Sequence, residues 1–100
     1  MDASDNKVIR RYLTVRGYDI VFPDYEGYIV AIDPDNNDLV IVYNDLIDRN
    51  EFERIILDIF ENNDWVCEDR VVRFDMIGLL KVFENRALIR HHVDCLSKRR

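Results

Sequence analysis

Apolar positions in this chain follow a helical rhythm in two stretches and a strand-like one in five, so seven elements are legible. Val8, Ile9, Tyr12, Leu13 and Arg16 recur at i, i+3 and i+4 spacing. Ser4 or Asp5 can cap that run and Gly17 can stop it, which predicts a first helix over about Asp5 to Arg16. Tyr18 to Phe22 is β-branched and aromatic, and Pro23 predicts its end. Gly27 to Asp45, GYIVAIDPDNNDLVIVYND, then reads as a hairpin. Its strands are Tyr28–Ile32 and Leu39–Tyr43, and Asp33-Pro34-Asp35-Asn36-Asn37-Asp38 makes the turn. Leu39 to Tyr43 is apolar at nearly every position, which suits a central strand covered on both faces.

Asn50 with Glu53 resembles a capping box. Phe52, Ile55, Ile56, Ile59 and Phe60 follow as one apolar stripe, which predicts a second helix over about Glu51 to Asn62. Val71 to Leu80 is predicted as a long strand, Phe83-Glu84-Asn85-Arg86 as a turn, and Ala87 to Cys95 as the last strand. The order α-β-β-β-α-β-β describes a hairpin-rich sheet with helices against it, an α/β sandwich. Its hundred residues make one domain, with neither internal repeat nor linker-rich segment.

Composition narrows the functional classes. No apolar run approaches the roughly 20 residues of a membrane span. The opening MDASDNKVIRR is acidic and lacks the apolar core of a signal peptide, so the chain is expected in the cytoplasm with Cys67 and Cys95 reduced. The net charge of −6 hides an asymmetry. Residues 1–69 hold 6 Lys/Arg against 17 Asp/Glu, net −11, whereas residues 70–100 hold 8 against 3, net +5. An acidic face repels a phosphate backbone, which disfavours generic nucleic-acid binding. The basic C-terminal third (Arg86, Arg90, Lys98, Arg99 and Arg100) reads either as a contact for nucleic acid or an acidic partner or as a solvated, charge-balanced surface with a loose tail.

Several strings resemble, in order, a family of small predicted endonucleases, the YraN type. Arg11-Tyr12-Leu13 with Gly17-Tyr18-Asp19-Ile20 is similar to that family's "A-x-x-Y-L-x-x-x-G-Y-x-I". Gly27-Tyr28-Ile29-Val30-Ala31-Ile32 falls at its "G-E-I-D-L-I", and Leu39-Val40-Ile41-Val42 at its "L-V-F-V". Val72-Arg73-Phe74-Asp75-Met76-Ile77 matches "V-R-F-D-V-I", and Ala87 to Cys95 resembles the closing strand loosely. The segment before RFDM is shorter than the family's. The resemblance implies a restriction endonuclease-like core, a mixed sheet flanked by helices.

The resemblance also implies a mechanism. Two or three carboxylates hold Mg²⁺, which acidifies a bound water, and a lysine two residues after the last carboxylate shares its strand face and positions that water. Carried over, the helix carboxylate falls at Asn6. The second-strand Glu and Asp fall at Tyr28 and Val30, and the E-x-K pair at Tyr43 and Asp45. None of the five bears the expected group. A tyrosine titrating near ~10 is a poor Mg²⁺ ligand, and Asp45 is negative where a cation belongs. The only lysines, Lys7, Lys81 and Lys98, lie off the hairpin.

Other constellations are weaker. Asp33 with Asp45 offers a migrated site for Mg²⁺ or Mn²⁺, although turn aspartates more often serve the backbone. Pro34-Asp35 begins a PD…(D/E)xK pattern whose tail is absent. His91 and His92, adjacent on a strand, point to opposite faces, so one is expected half-buried and the other in solvent. The sequence thus reads as a nuclease-like chain without the catalytic groups, a pseudoenzyme that needs no cofactor. Its expected work is binding or regulation through a protein partner or self-association, and Tyr28 with Tyr43 forms either a candidate aromatic patch or an ordinary cross-strand pair. The alternatives are a nuclease with migrated carboxylates and a protein that binds DNA weakly without cutting it.

Overall fold

The computed structural model describes residues 3–25, 27–44, 49–62, 71–83 and 86–93. They form an α/β protein with the elements α1 (Ala3–Val15), β1 (Asp19–Tyr25), β2 (Tyr28–Ile32), β3 (Leu39–Tyr43), α2 (Arg49–Asn62), β4 (Val72–Phe83) and β5 (Arg86–His92). The five strands make one mixed sheet in sequence order, antiparallel except where β3 runs parallel to β4. A parallel pair needs a crossover, and α2 provides it. No described helix is long and apolar enough to cross a membrane.

Strand alternation sorts the core onto two faces. Ile29, Val40, Val42 and Ile77 pack with Ile9 and Leu13 of α1. Tyr28, Val30, Leu39, Ile41 and Phe74 pack with Ile55 of α2. β3 is therefore buried on both faces, as its continuous apolar run requires.

Three strand bounds depart from expectation, the simplest being β5, which ends at His92 with Val93 already in a turn and does not run on towards Cys95. Pro23 does not end β1, which continues to Tyr25. β1 is an edge strand, and Pro23 sits where its register slips between Phe22↔Val30 and Tyr25↔Tyr28. A missing N–H costs little at a bulged edge. β4 outruns its expected end at Leu80 and pairs with β5 as far as Phe83↔Arg86. Since β3 accompanies β4 only from Val72 to Met76, the rest of β4 and its partner form a two-stranded arm beyond the sheet.

The helix starts also differ. α1 begins at Ala3, which places Ser4 and Asp5 inside it, and Asn50 is the second residue of α2 rather than its cap. The end of α1 follows the sequence signal. Tyr18 N–H donates to Leu13 O and Gly17 N–H to Thr14 O, with Gly17 at φ 90°, a Schellman stop. In the β2–β3 turn, Asp33 Oδ1 accepts from Asp35 N–H at 2.8 Å and Asn36 Oδ1 from Asp38 N–H at 3.0 Å. The side chains of Phe52, Ile56, Ile59 and Phe60, like Cys67 and Cys95, lie outside the described residues.

Candidate functional site

Of the five positions that the nuclease resemblance marks, the four described ones do not all gather on one side of the sheet. Tyr28, Val30 and Tyr43 lie on the α2 side of the sheet, within or against the core. Val30 is fully buried, and Tyr28 stacks against Tyr43 with ring centroids 4.7 Å apart. The Tyr28 hydroxyl donates to Glu51 Oε1 of α2 at 3.2 Å. Burial and the nearby Glu51 carboxylate push that phenol up to about 12. The pair is thus an α2-covered core contact, not an open aromatic patch. Asn6 lies on the helix of the other face, where its amide donates to Pro23 O at 2.8 Å and accepts from Arg10 at 2.6 Å. Asp45 lies outside the described residues.

Asp33 is committed elsewhere. It is buried, with Oδ2 2.9 Å from Arg73 Nη1 and Oδ1 on the Asp35 amide. Burial alone would raise its pKa; the Asp35 N–H and the Arg73 guanidinium more than offset that and hold it below the usual value. Among the described residues no group of three or more His, Cys, Asp or Glu side chains is placed to hold a metal ion.

The chemically dense region sits instead on the α1 side, around Arg73. Residues two apart on a strand share a face. Arg73 therefore lies beside Asp75 and grips it through two bonds, Nε to Oδ1 at 2.9 Å and Nη2 to Oδ2 at 3.0 Å. Arg73 also meets Asp38 at 3.2 Å and donates to the Tyr18 hydroxyl at 3.3 Å, and Tyr18 donates on to Asp33. Burial and the Asp33 carboxylate raise the Tyr18 pKa. Three carboxylates thus surround one guanidinium that is only 6 % exposed. A fork-shaped cation with five donors is suited to such a place, because each buried oxygen needs a partner.

From Asp75 the network continues to β5. His91 Nε2 is 2.7 Å from Asp75 Oδ2, and its Nδ1 is 3.0 Å from the Tyr12 hydroxyl of α1. A carboxylate only accepts, so Nε2 carries a proton; in the neutral ring Nδ1 then accepts from Tyr12. Asp75 and Tyr12 thus hold the His91 ring from both of its nitrogens. The arrangement also ties β4, β5 and α1 together. Beside it runs a groove of about 410 Å³ that Val8, Tyr12, Val15 and Ile89 line and Arg11 and Arg16 flank.

His92, the neighbour of His91, is exposed on the opposite face. Arg86 and Arg90 are exposed on β5; Lys98, Arg99 and Arg100 lie outside the described residues. The sequence did carry a trace of the Arg73 network, in two charged residues two apart within an apolar strand. Their partners at Asp33, Asp38, Tyr12 and His91 come from three other segments, the β2–β3 turn, α1 and β5, so no local pattern joins them. Compared with protein-family models, with curated proteins and with solved structures, the chain matches none.

Proposed function

We propose that the chain is a binding module on a nuclease-like scaffold, without nuclease chemistry. The support is what occupies the positions where the resemblance expects metal ligands. Val30 is wholly buried, Tyr28 is bound to Glu51 under α2, and Asn6 is across the sheet from both. A buried cluster of carboxylates would repel itself and demand a cation, whereas Val and Tyr at those positions bury apolar area. The migrated alternative through Asp33 has little to work with, since that carboxylate already serves Arg73 and its own turn.

The test is direct. The purified protein is incubated with duplex, single-stranded and branched DNA, with and without Mn²⁺ or Mg²⁺. No cleavage on any substrate is expected. Metal-dependent cleavage that Asp33→Ala or Asp45→Ala abolishes would overturn the reading.

A further inference from the structure

We propose that the partner of this module is a second copy of the same chain, the two copies joining face to face through α2 and the β4–β5 arm. The inference deepens the binding-module reading and rests on it. The starting observation is an incomplete layer. On the α1 side the arm is partly covered, with Leu79 packed against the helix-bearing core. On the α2 side its described leucines are exposed. Leu80 and Leu88, cross-strand partners, are 63 % and 61 % exposed beside Met76 and Gly78, around a groove of about 590 Å³. Apolar surface of this kind, rimmed by Arg90 and His92, marks an interaction site.

The chain carries a surface of matching charge and spacing. Along β5, Arg86, Leu88 and Arg90 share the α2-side face, a basic–apolar–basic row spanning roughly 13 Å. Along the outer side of α2, Glu53, Leu57 and Glu61 recur every fourth residue, an acidic–apolar–acidic row spanning roughly 12 Å. Leu57 is 59 % exposed, while Ile55 faces the sheet at 2 %. Arg54 does not belong to this row. It lies about 100° around the helix, close enough to Tyr28 to act on its titration.

Both rows stand on one side of the sheet, α2 as a ridge and the arm as a shelf beside it. A copy turned about a two-fold axis sets its ridge on this shelf and offers its shelf to this ridge. The contact is then made twice, with Leu57 against Leu80 and Leu88 and the glutamates against the arginines. An isologous dimer is the commonest closed assembly. Direct pairing of two β5 edges is less suited, because it sets Arg86, Arg90 and His92 against their own kind.

The experiment measures mass by light scattering and sedimentation from about 1 to 300 µM, a range that brackets ordinary transient dimers. Twice the chain mass is expected. One variant, Arg86→Glu with Arg90→Glu, and another, Glu53→Arg with Glu61→Arg, should each weaken association at least ~10-fold, since like charges then face each other. An equimolar mixture should restore it as a heterodimer, because both contacts become complementary only across the two variants. All four positions are exposed, and circular dichroism checks that each variant is folded. A wild-type protein that stays monomeric throughout, a dimer that neither reversal weakens, or a mixture that does not reassociate would each overturn the proposal. Cleavage is read in a separate assay, so the loss of one reading is not mistaken for the loss of the other.

Discussion

Arg73 and Asp75 stand two residues apart on β4, on the same face of the sheet, and share two hydrogen bonds at 2.9 and 3.0 Å. Asp75 is wholly buried, so its charge depends on Arg73 and His91. Removing one partner of a buried pair costs more than the pair contributes, because a charge is left without compensation. Arg73→Met, which strands Asp33, Asp38 and Asp75 together, should lower stability by about 3–5 kcal/mol. Arg73→Lys should recover little, since an ammonium cannot fork. Urea unfolding followed by circular dichroism measures both, and a loss below ~1 kcal/mol for Arg73→Met, the range of exposed pairs, would refute the view that this pair holds the sheet.

The same cluster gives the protein a sign-definite pH response. Asp33 is held below its ordinary value of 3.8, so its contribution is complete above that pH and is lost as the pH falls through the lowered native value. Asp33→Asn should therefore flatten the acid limb of the stability curve. At the other extreme, Tyr28 is pushed from 10.0 up to about 12, so stability is complete below pH 10 and declines between the two values. Tyr28→Phe should remove that tyrosine's share of the decline. It should also cost about 1 kcal/mol at neutral pH, through the lost bond to Glu51. Stability measured in steps from pH 2 to 12 tests both limbs.

How legible the molecule was depends on how local each signal is. The hairpin, its Asx-bonded turn and the Gly17 stop were readable because each is settled within a few residues. β1 and β4 were misjudged at their ends for reasons outside their own residues. Pro23 is tolerated because β1 lies at an edge, and β4 continues because β5 returns along it. The site was the least legible. Tyr12 and His91 meet across 79 positions of sequence, and Arg73 reaches Asp38 across 35. The Asn6, Tyr28 and Val30 carry-over presumed one surface where the structure has two.

Gly17 offers a compact test of the local reading. At φ 90° a side chain strains the backbone, and a Cβ there would lie 3.4 Å from Pro34 Cγ. Gly17→Ala should cost about 1 kcal/mol. Gly17→Asn should cost less, because asparagine enters the left-handed region more readily. Thermal melts of the three proteins should rank Gly, Asn, Ala in falling order; Ala melting with Gly would show that the helix stop does not need this conformation.

The proposal that packing stands where the resemblance expects metal ligands can be tested by placing carboxylates there. Val30→Asp puts a carboxylate into a site with no exposure, between Phe22 and Ile41 in the sheet register. The cluster around it is apolar or aromatic, its buried members being Tyr28, Val30, Leu39, Ile41, Ile55 and Phe74. An isolated buried charge is costly enough that the group takes up a proton or the fold opens. The variant should lose about 3 kcal/mol or more at neutral pH and recover part of that on acidification, as the carboxyl becomes neutral. Tyr28→Glu beside it should add to the loss, since two carboxylates would then compete on one face. If the positions retained a latent metal site, Mn²⁺ would restore the stability of the double variant. The expected result is no shift in its melting temperature with millimolar Mn²⁺, and a rise of several degrees would mean that the carboxylate pair still closes around a cation.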